Sequence, residues 1–257
     1  MCVAVFAWKI HPEYPLIFAG NRDELHARPA SAADYWKDAP QVLGGRDLTA
    51  GGTWLGVTAA GRFAVVTNYR VGPNPHSGPR SRGELTADFL RSAMSPPDYL
   101  AQVQRRAHEY APFSLIVGDA DSLWFFSNRD ARAPFEISPG IHGLSNHLLD
   151  TPWPKVALSK SRLEALLARG TPTAEELEKL LSDRTPAPAN ELPDTGIGAE
   201  RERQISPVFV VNPVYGTRCS TAILRVRNGE LRFVERRFDA AGQLLGNSDF
   251  HLAGDGA

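Results

Sequence analysis

Three features of the sequence predict an α+β fold with strands at both ends of the chain and helices between them. Apolar, strand-like runs open and close the chain, helical periodicity is confined to its middle, and the first run is apolar on both faces. Cys2, Ala4, Phe6 and Trp8 alternate with Val3, Val5 and Ala7, so neither face of that strand suits water. Such a sheet needs a second sheet on one side and a helical layer on the other.

After the first run, His11-Pro12-Glu13-Tyr14-Pro15 marks a turn. A second apolar strand over 16–20 makes a hairpin with the first and ends in the polar tetrapeptide Asn21-Arg22-Asp23-Glu24. Short strands are expected over 42–43, 53–58 and 62–67, set off by Gly44-Gly45, Gly51-Gly52 and Gly61. Residues 71–82 read as loop. Helices begin near Gly83 and Asp98, and strands return over 113–118, 123–127 and 141–144. Two further helices fit 156–167 and 174–181, the latter capped by Thr173 with Glu176 three residues on. Residues 185–204 lack periodicity and read as an exposed loop. Strands over 207–211, 218–226 and 231–238 finish the pattern, with Asn228-Gly229 as a hairpin turn. Residues 247–257 read as a flexible tail. Trp8 and Trp54 are expected in the core.

Composition narrows the function. The 257 residues are 42% hydrophobic and 22% charged, which is enough to bury a core. A net charge of −1 argues against a nucleic-acid partner and against a polybasic route to a membrane. No apolar run approaches the roughly 20 residues of a membrane span. The opening apolar run has no basic region before it and stops at Lys9, so it does not read as a secretion signal. With two cysteines, Cys2 and Cys219, the chain reads as cytoplasmic with reduced thiols. No Walker loop, dinucleotide fingerprint, Cys-x-x-Cys or His-Glu-x-x-His is present, and no metal site is expected. Gly143-Leu144-Ser145-Asn146-His147 fails as a nucleophile elbow at its last position.

The chemistry that remains centres on Cys2. Removal of Met1 would give Cys2 a thiol and a free α-amine, whose ordinary pKa values of about 8.5 and about 7.7–8.0 are nearly matched for proton exchange. A nucleophile activated by its own terminal amine is an established device. The hairpin brings the tetrapeptide back to the head of the first strand, so Asp23 can hold the ammonium and Arg22 can favour the thiolate. Asn68 and Asn146 each follow an apolar strand, where an amide can donate to a developing oxyanion. Arg218 opens a late strand after Tyr215-Gly216-Thr217. Taken singly, each of these residues also has an ordinary reading as a strand end, a turn or a solvated charge.

Taken in order, the segments make a pattern. Met1-Cys2, Phe18-Ala19-Gly20-Asn21-Arg22-Asp23-Glu24, Gly44-Gly45-Arg46-Asp47, Gly51-Gly52-Thr53-Trp54-Leu55-Gly56-Val57, Thr67-Asn68-Tyr69-Arg70, Ser81-Arg82-Gly83-Glu84-Leu85, Gly143-Leu144-Ser145-Asn146 and Tyr215-Gly216-Thr217-Arg218 together resemble the NRDE family, also called the transport and Golgi organisation protein 2 homologues. The resemblance runs over nearly the whole chain and implies one domain over 1–257. It implies an N-terminal nucleophile hydrolase fold, a four-layer αββα sandwich. The choloylglycine hydrolase and penicillin V acylase group is similar in placing Cys at position two. Carried over by motif, that similarity implies catalytic roles for Cys2, Asp23, Asn68, Asn146 and Arg218, with Asn21, Arg22 and Arg70 as binding residues. The pattern departs at Gly20, where those hydrolases carry an Arg; here Arg22 stands directly before Asp23.

Two functions follow from the resemblance. The first is a cysteine hydrolase acting on a C–N amide, or an acyl thioester, of a small molecule, with no cofactor required. The second is a non-catalytic carrier of haem, an acyl-CoA or a lipid in the same pocket, in keeping with the family's links to haem trafficking, lipid metabolism and secretory organisation. His76, His142 and His147 are the histidines considered for haem.

Overall fold

The computed structural model describes residues 2–72 and 78–254. Its first strands are β1 (Cys2–Trp8), β2 (Leu16–Leu25), β3 (Ala30–Trp36), β4 (Ala39–Asp47), β5 (Leu55–Thr58) and β6 (Phe63–Asn68). Helices α1 (Gly83–Arg91) and α2 (Pro96–Arg105) follow, then β7 (Phe113–Gly118), β8 (Leu123–Ser127), β9 (Phe135–Glu136) and β10 (Gly140–Leu144). Helices α3 (Pro154–Leu167), α4 (Ala174–Leu180) and α5 (Ala199–Gln204) lead to β11 (Tyr215–Arg225), β12 (Leu231–Phe238) and β13 (Leu244–Leu252).

Two antiparallel sheets result. One has the order β10-β1-β2-β11-β12-β13 and the other runs β3 to β9 in sequence order. Strand β1 lies between β10 and β2, and both its apolar faces are covered. One face (Ala4, Phe6, Trp8) packs against Leu55, Val65 and Phe125 of the second sheet. The other (Val3, Val5, Ala7) packs with Leu163 of α3 and Leu177 of α4. A third cluster joins Leu85 and Phe89 of α1 and Leu100 of α2 to the outer face of the second sheet. The layers are therefore helix, sheet, sheet, helix, as the fold class requires. Helix α4 carries the expected capping box, Thr173 with Glu176. Among the described residues no helix is long and apolar enough to cross a membrane.

Four expectations are corrected. Residues 185–204 are not all exposed loop: α5 fills 199–204, and Glu202 on it is buried. It is buried because Arg70 pairs with it and Thr195 donates to it. The flexible tail is strand β13 as far as Leu252, paired along β12. Its inward positions include Gly246 and Ser248 while Leu244 and Leu245 are exposed, so no clean alternation announces it, and the Arg232–Asp249 pair crosses the ladder. Residues 207–211 are not a strand; Phe209 N–H donates to the Asp183 carbonyl and Val210 N–H to Thr217 Oγ1 instead. Strand β3 was not expected at all; its pairing with β4 is broken by two register shifts. Residues 73–77, with His76, lie outside the described residues.

Candidate active site

Cys2 stands at the head of β1 directly opposite Arg22 of β2, and Arg22 stands opposite Cys219 of β11. Directly paired residues share a face, so the three side chains line one side of the sheet. They border a cavity of about 420 Å³ that Asp23, Asn68 and Arg218 also line. The residues are brought in from β1, β2, the end of β6 and β11, more than 200 positions apart in the chain. The hairpin β1–β2 does what the sequence predicts and delivers the polar tetrapeptide to the N-terminal end of β1.

Cys2 is nearly buried, and that burial pushes its thiol above the ordinary thiol range; Asp23 adds to the rise and Arg22 opposes it. Asp23 faces Thr217 across the β2–β11 pair and accepts a 2.7 Å hydrogen bond from its hydroxyl. The Tyr215 hydroxyl donates to the Asp23 carbonyl at 2.8 Å. Burial raises the Asp23 carboxyl, and the Lys155 ammonium is the first of the charges that oppose the rise.

Asn146 is wholly buried in the left-handed region, φ 52°, where asparagine is one of the tolerated residues. Its Oδ1 accepts from the Cys2 backbone nitrogen at 3.2 Å and its Nδ2 donates to the Asn68 carbonyl at 3.0 Å. Its own carbonyl accepts from Arg70 N–H at 2.8 Å. Asn146 thus ties the head of β1 to the end of β6, one strand from each sheet. Asn68 alone of the two amides lines the cavity.

Arg218 sits at a bulge between Thr217 and Cys219. A bulge re-aims a side chain; here Nη1 donates to the carbonyls of Leu25, His26 and Arg28 at 2.9, 3.1 and 3.0 Å. It therefore fixes the rim of the cavity, and the cation directly paired with Cys2 is Arg22. Gly20 leaves no space for a longer residue: a Cβ there would come within 2.9 Å of the Phe18 ring and 3.1 Å of the Val3 carbonyl.

Two of the expected binding residues face away from the cavity. Asn21 alternates with Arg22 onto the helical side, where it donates to the carbonyls of Leu181 and Val208 and accepts from Ser220. Arg70 pairs with Glu202 at 3.1 Å and lies over the Trp153 ring at 4.4 Å; its burial lowers it to about 10. Of the histidines, His142 is paired with Asp150, and His147 with Tyr69 and Thr151. Neither lines the cavity.

The sequence reading missed several residues of the site. Trp54, expected in the core, lines the cavity, as do Cys219, Arg82 and Glu235. Arg82 donates to the Pro112 carbonyl, and burial lowers its pKa. Glu235 is buried on β12, accepts from Ala33 N–H at 2.8 Å, and is raised by that burial. Lys155, at the start of α3, is 4% exposed. The only signal for Arg82 was its place in the Ser81–Leu85 segment; none marked Glu235 or Lys155.

The comparisons agree with this architecture. A Caenorhabditis elegans N-acylethanolamine-hydrolyzing acid amidase ortholog shares the fold, with a TM-score of 0.53 and 14% identity over 87% of this chain and 92% of that one. Among curated proteins, the Bos taurus Transport and Golgi organization protein 2 homolog is 39% identical over 92% of each chain. The Homo sapiens homolog is 35% identical over the same shares, and the Drosophila melanogaster protein 29% identical over 91% of each. The profile of the Transport and Golgi organisation 2 family matches residues 1–240. A four-layer αββα sandwich with a cysteine at the head of its first strand, matched by the family profile over residues 1–240 and by these relatives over about nine-tenths of its length, the chain belongs to the Transport and Golgi organisation 2 family.

Proposed function

We propose that the protein is a cysteine hydrolase that cleaves a C–N amide, or an acyl thioester, of a small molecule. The observation that carries this reading is the placement of Cys2 at the head of β1, in the cavity wall and opposite Arg22. Cleavage of Met1 turns the Cys2 nitrogen, already donating to Asn146, into an α-amine.

The α-amine takes the thiol proton and the thiolate attacks the acyl carbon. Arg22 favours the thiolate electrostatically. The oxyanion is stabilised by donors at the cavity wall, for which the Asn68 side chain is the candidate. Collapse expels the amine, which takes the proton back from the α-ammonium. A water molecule, deprotonated by the Cys2 α-amine, then hydrolyses the acyl-cysteine, and the α-ammonium returns the proton to the released thiolate. Asn146 positions the Cys2 nitrogen, and Arg218 holds the rim.

Intact-mass measurement of the purified protein tests the first requirement: retained Met1 would sink the mechanism. Incubation with p-nitrophenyl hexanoate should then add one acyl group, mapped to Cys2 and lost in Cys2→Ala. Tight haem binding indifferent to Cys2→Ala, with no turnover on an amide panel, would favour the carrier instead.

A further inference from the structure

Lys155 is placed where a lysine is hard to keep. It is the second residue of α3, at the positive end of the helix dipole, where a cation is disfavoured. Its side chain is 4% exposed, and its Nζ accepts no compensation: among the described residues it has no hydrogen-bond partner. A buried ammonium with none of its three donors used costs several kcal/mol in general. Such conflicts with local rules mark functional positions more than structural ones.

The charge that acts on it most is Asp23. Helix α3 packs on β1 and β10, on the face of the sheet to which Asn21 and, two residues on, Asp23 point. Each is the other's foremost charged neighbour: Lys155 is the first charge that lowers Asp23, and Asp23 the first that raises Lys155. The remaining charged or titratable groups acting on Lys155 are Arg70 after β6, Cys2 of β1 and Glu202 of α5. Burial brings Lys155 down to about 8.

We infer that Lys155 is a positioning residue for Cys2: its ammonium, reaching the sheet from the helical layer, is the internal counter-ion that keeps Asp23 charged beside the head of β1. This rests on the hydrolase reading above. Arg22 is the cation paired with Cys2 on the cavity side, Gly20 has no room for a further one there, and Lys155 acts from the opposite side of the sheet. An ionised Asp23 holds the Cys2 ammonium after each proton transfer. A neutral Asp23 does not, and the amine is then free to turn from the thiol. Lys155 touches neither substrate nor thiol in this scheme.

The test is the pH dependence of single-turnover acylation of Cys2 by p-nitrophenyl hexanoate, from pH 5 to 9. Losing the cation raises the Asp23 pKa. Lys155→Met should therefore move the acid limb to higher pH by about one unit or more, a loss of roughly tenfold at pH 6. Lys155→Arg should restore the wild-type limb. In an Asp23→Asn background, Lys155→Met should change nothing further. An unmoved acid limb in Lys155→Met, or an equal loss in the Asp23→Asn background, overturns the inference. Failure of the wild type to acylate overturns the hydrolase reading instead. The electrostatic coupling of Lys155 to Asp23 is then decided by carbon-13 NMR of the full chain. The Lys155 Cε titration should fall to lower pH in Asp23→Asn, and an unchanged midpoint refutes the coupling. The same measurement serves if Lys155→Met does not fold.

Discussion

Cys2 and Cys219 stand on opposite sides of Arg22, each directly paired with it across the ladder. One strand therefore separates the two thiols, and neighbouring strands lie about 4.8 Å apart, so their Cα atoms are roughly 10 Å from each other. A disulfide needs less than about 7 Å. Both cysteines are free.

The pairing makes thiol reactivity a readout of Arg22. Burial raises both thiols, Cys219 well above its ordinary value, where Glu235 adds to the effect; Arg22 opposes the rise at each. Removing that cation disfavours both thiolates. Arg22→Ala should slow iodoacetamide alkylation of Cys2 at pH 8 by about three- to tenfold, since each pKa unit is tenfold in thiolate. Peptide mapping of the alkylated protein measures it. In the wild type, both thiols should remain titratable without reductant.

Gly20 is fixed by packing. Because its Cβ would meet both a ring carbon and a backbone carbonyl, Gly20→Ala should cost about 1–3 kcal/mol in urea unfolding. Gly20→Arg, which would rebuild the hydrolase-group motif, should not give folded protein. A stable Gly20→Arg variant would show that Phe18 moves aside freely.

Asn146 combines two buried hydrogen bonds with a left-handed backbone. Asn146→Ala loses both features and should destabilise by about 3–5 kcal/mol. Asn146→Gly loses only the side chain and should be about 1 kcal/mol less damaging, because glycine adopts positive φ without strain. Denaturant midpoints of the two variants give the difference directly.

Glu235 predicts a pH slope. Its folded pKa lies above the ordinary 4.5 because it is buried. A raised carboxyl binds its proton more tightly in the folded chain. The stability it contributes is complete below about pH 4.5 and is lost as pH rises through the folded value. Glu235→Gln, which cannot ionise, should gain on the wild type between pH 4.5 and 8, seen by urea unfolding at both values. A constant difference across that range would mean that Glu235 ionises as readily folded as unfolded.

The order of strands and helices was largely legible because burial writes itself into periodicity. The double-sided apolar run of β1, the box at Thr173 and the turn at Asn228-Gly229 are local signals. Strand β13 escaped because Gly246 and Ser248 interrupt its inward face while Leu244 and Leu245 are exposed, and α5 because Glu202 is buried by its partner Arg70 rather than by apolar neighbours. The site was half legible. Cys2, Asp23, Asn68 and Arg218 border one cavity, though the Asp23 side chain, like that of Asn21, lies on the helical side of the sheet by alternation, and Arg70 is buried in its pair with Glu202.

The sequence by itself determined that two neighbouring strands meet at Cys2 and Asp23, since a hairpin is a local structure. The family, too, was readable from motifs that follow one another along the chain. What only the tertiary structure decided is who faces Cys2 and who faces away. Arg22 and Asn21 are adjacent in sequence and lie on opposite faces of the sheet. Asn146 serves as a clamp between sheets, and the Lys155 charge acts on Asp23 from a helix more than 130 residues away. Those contacts depend on how two sheets and a helical layer stack, and no local spacing encodes that stacking.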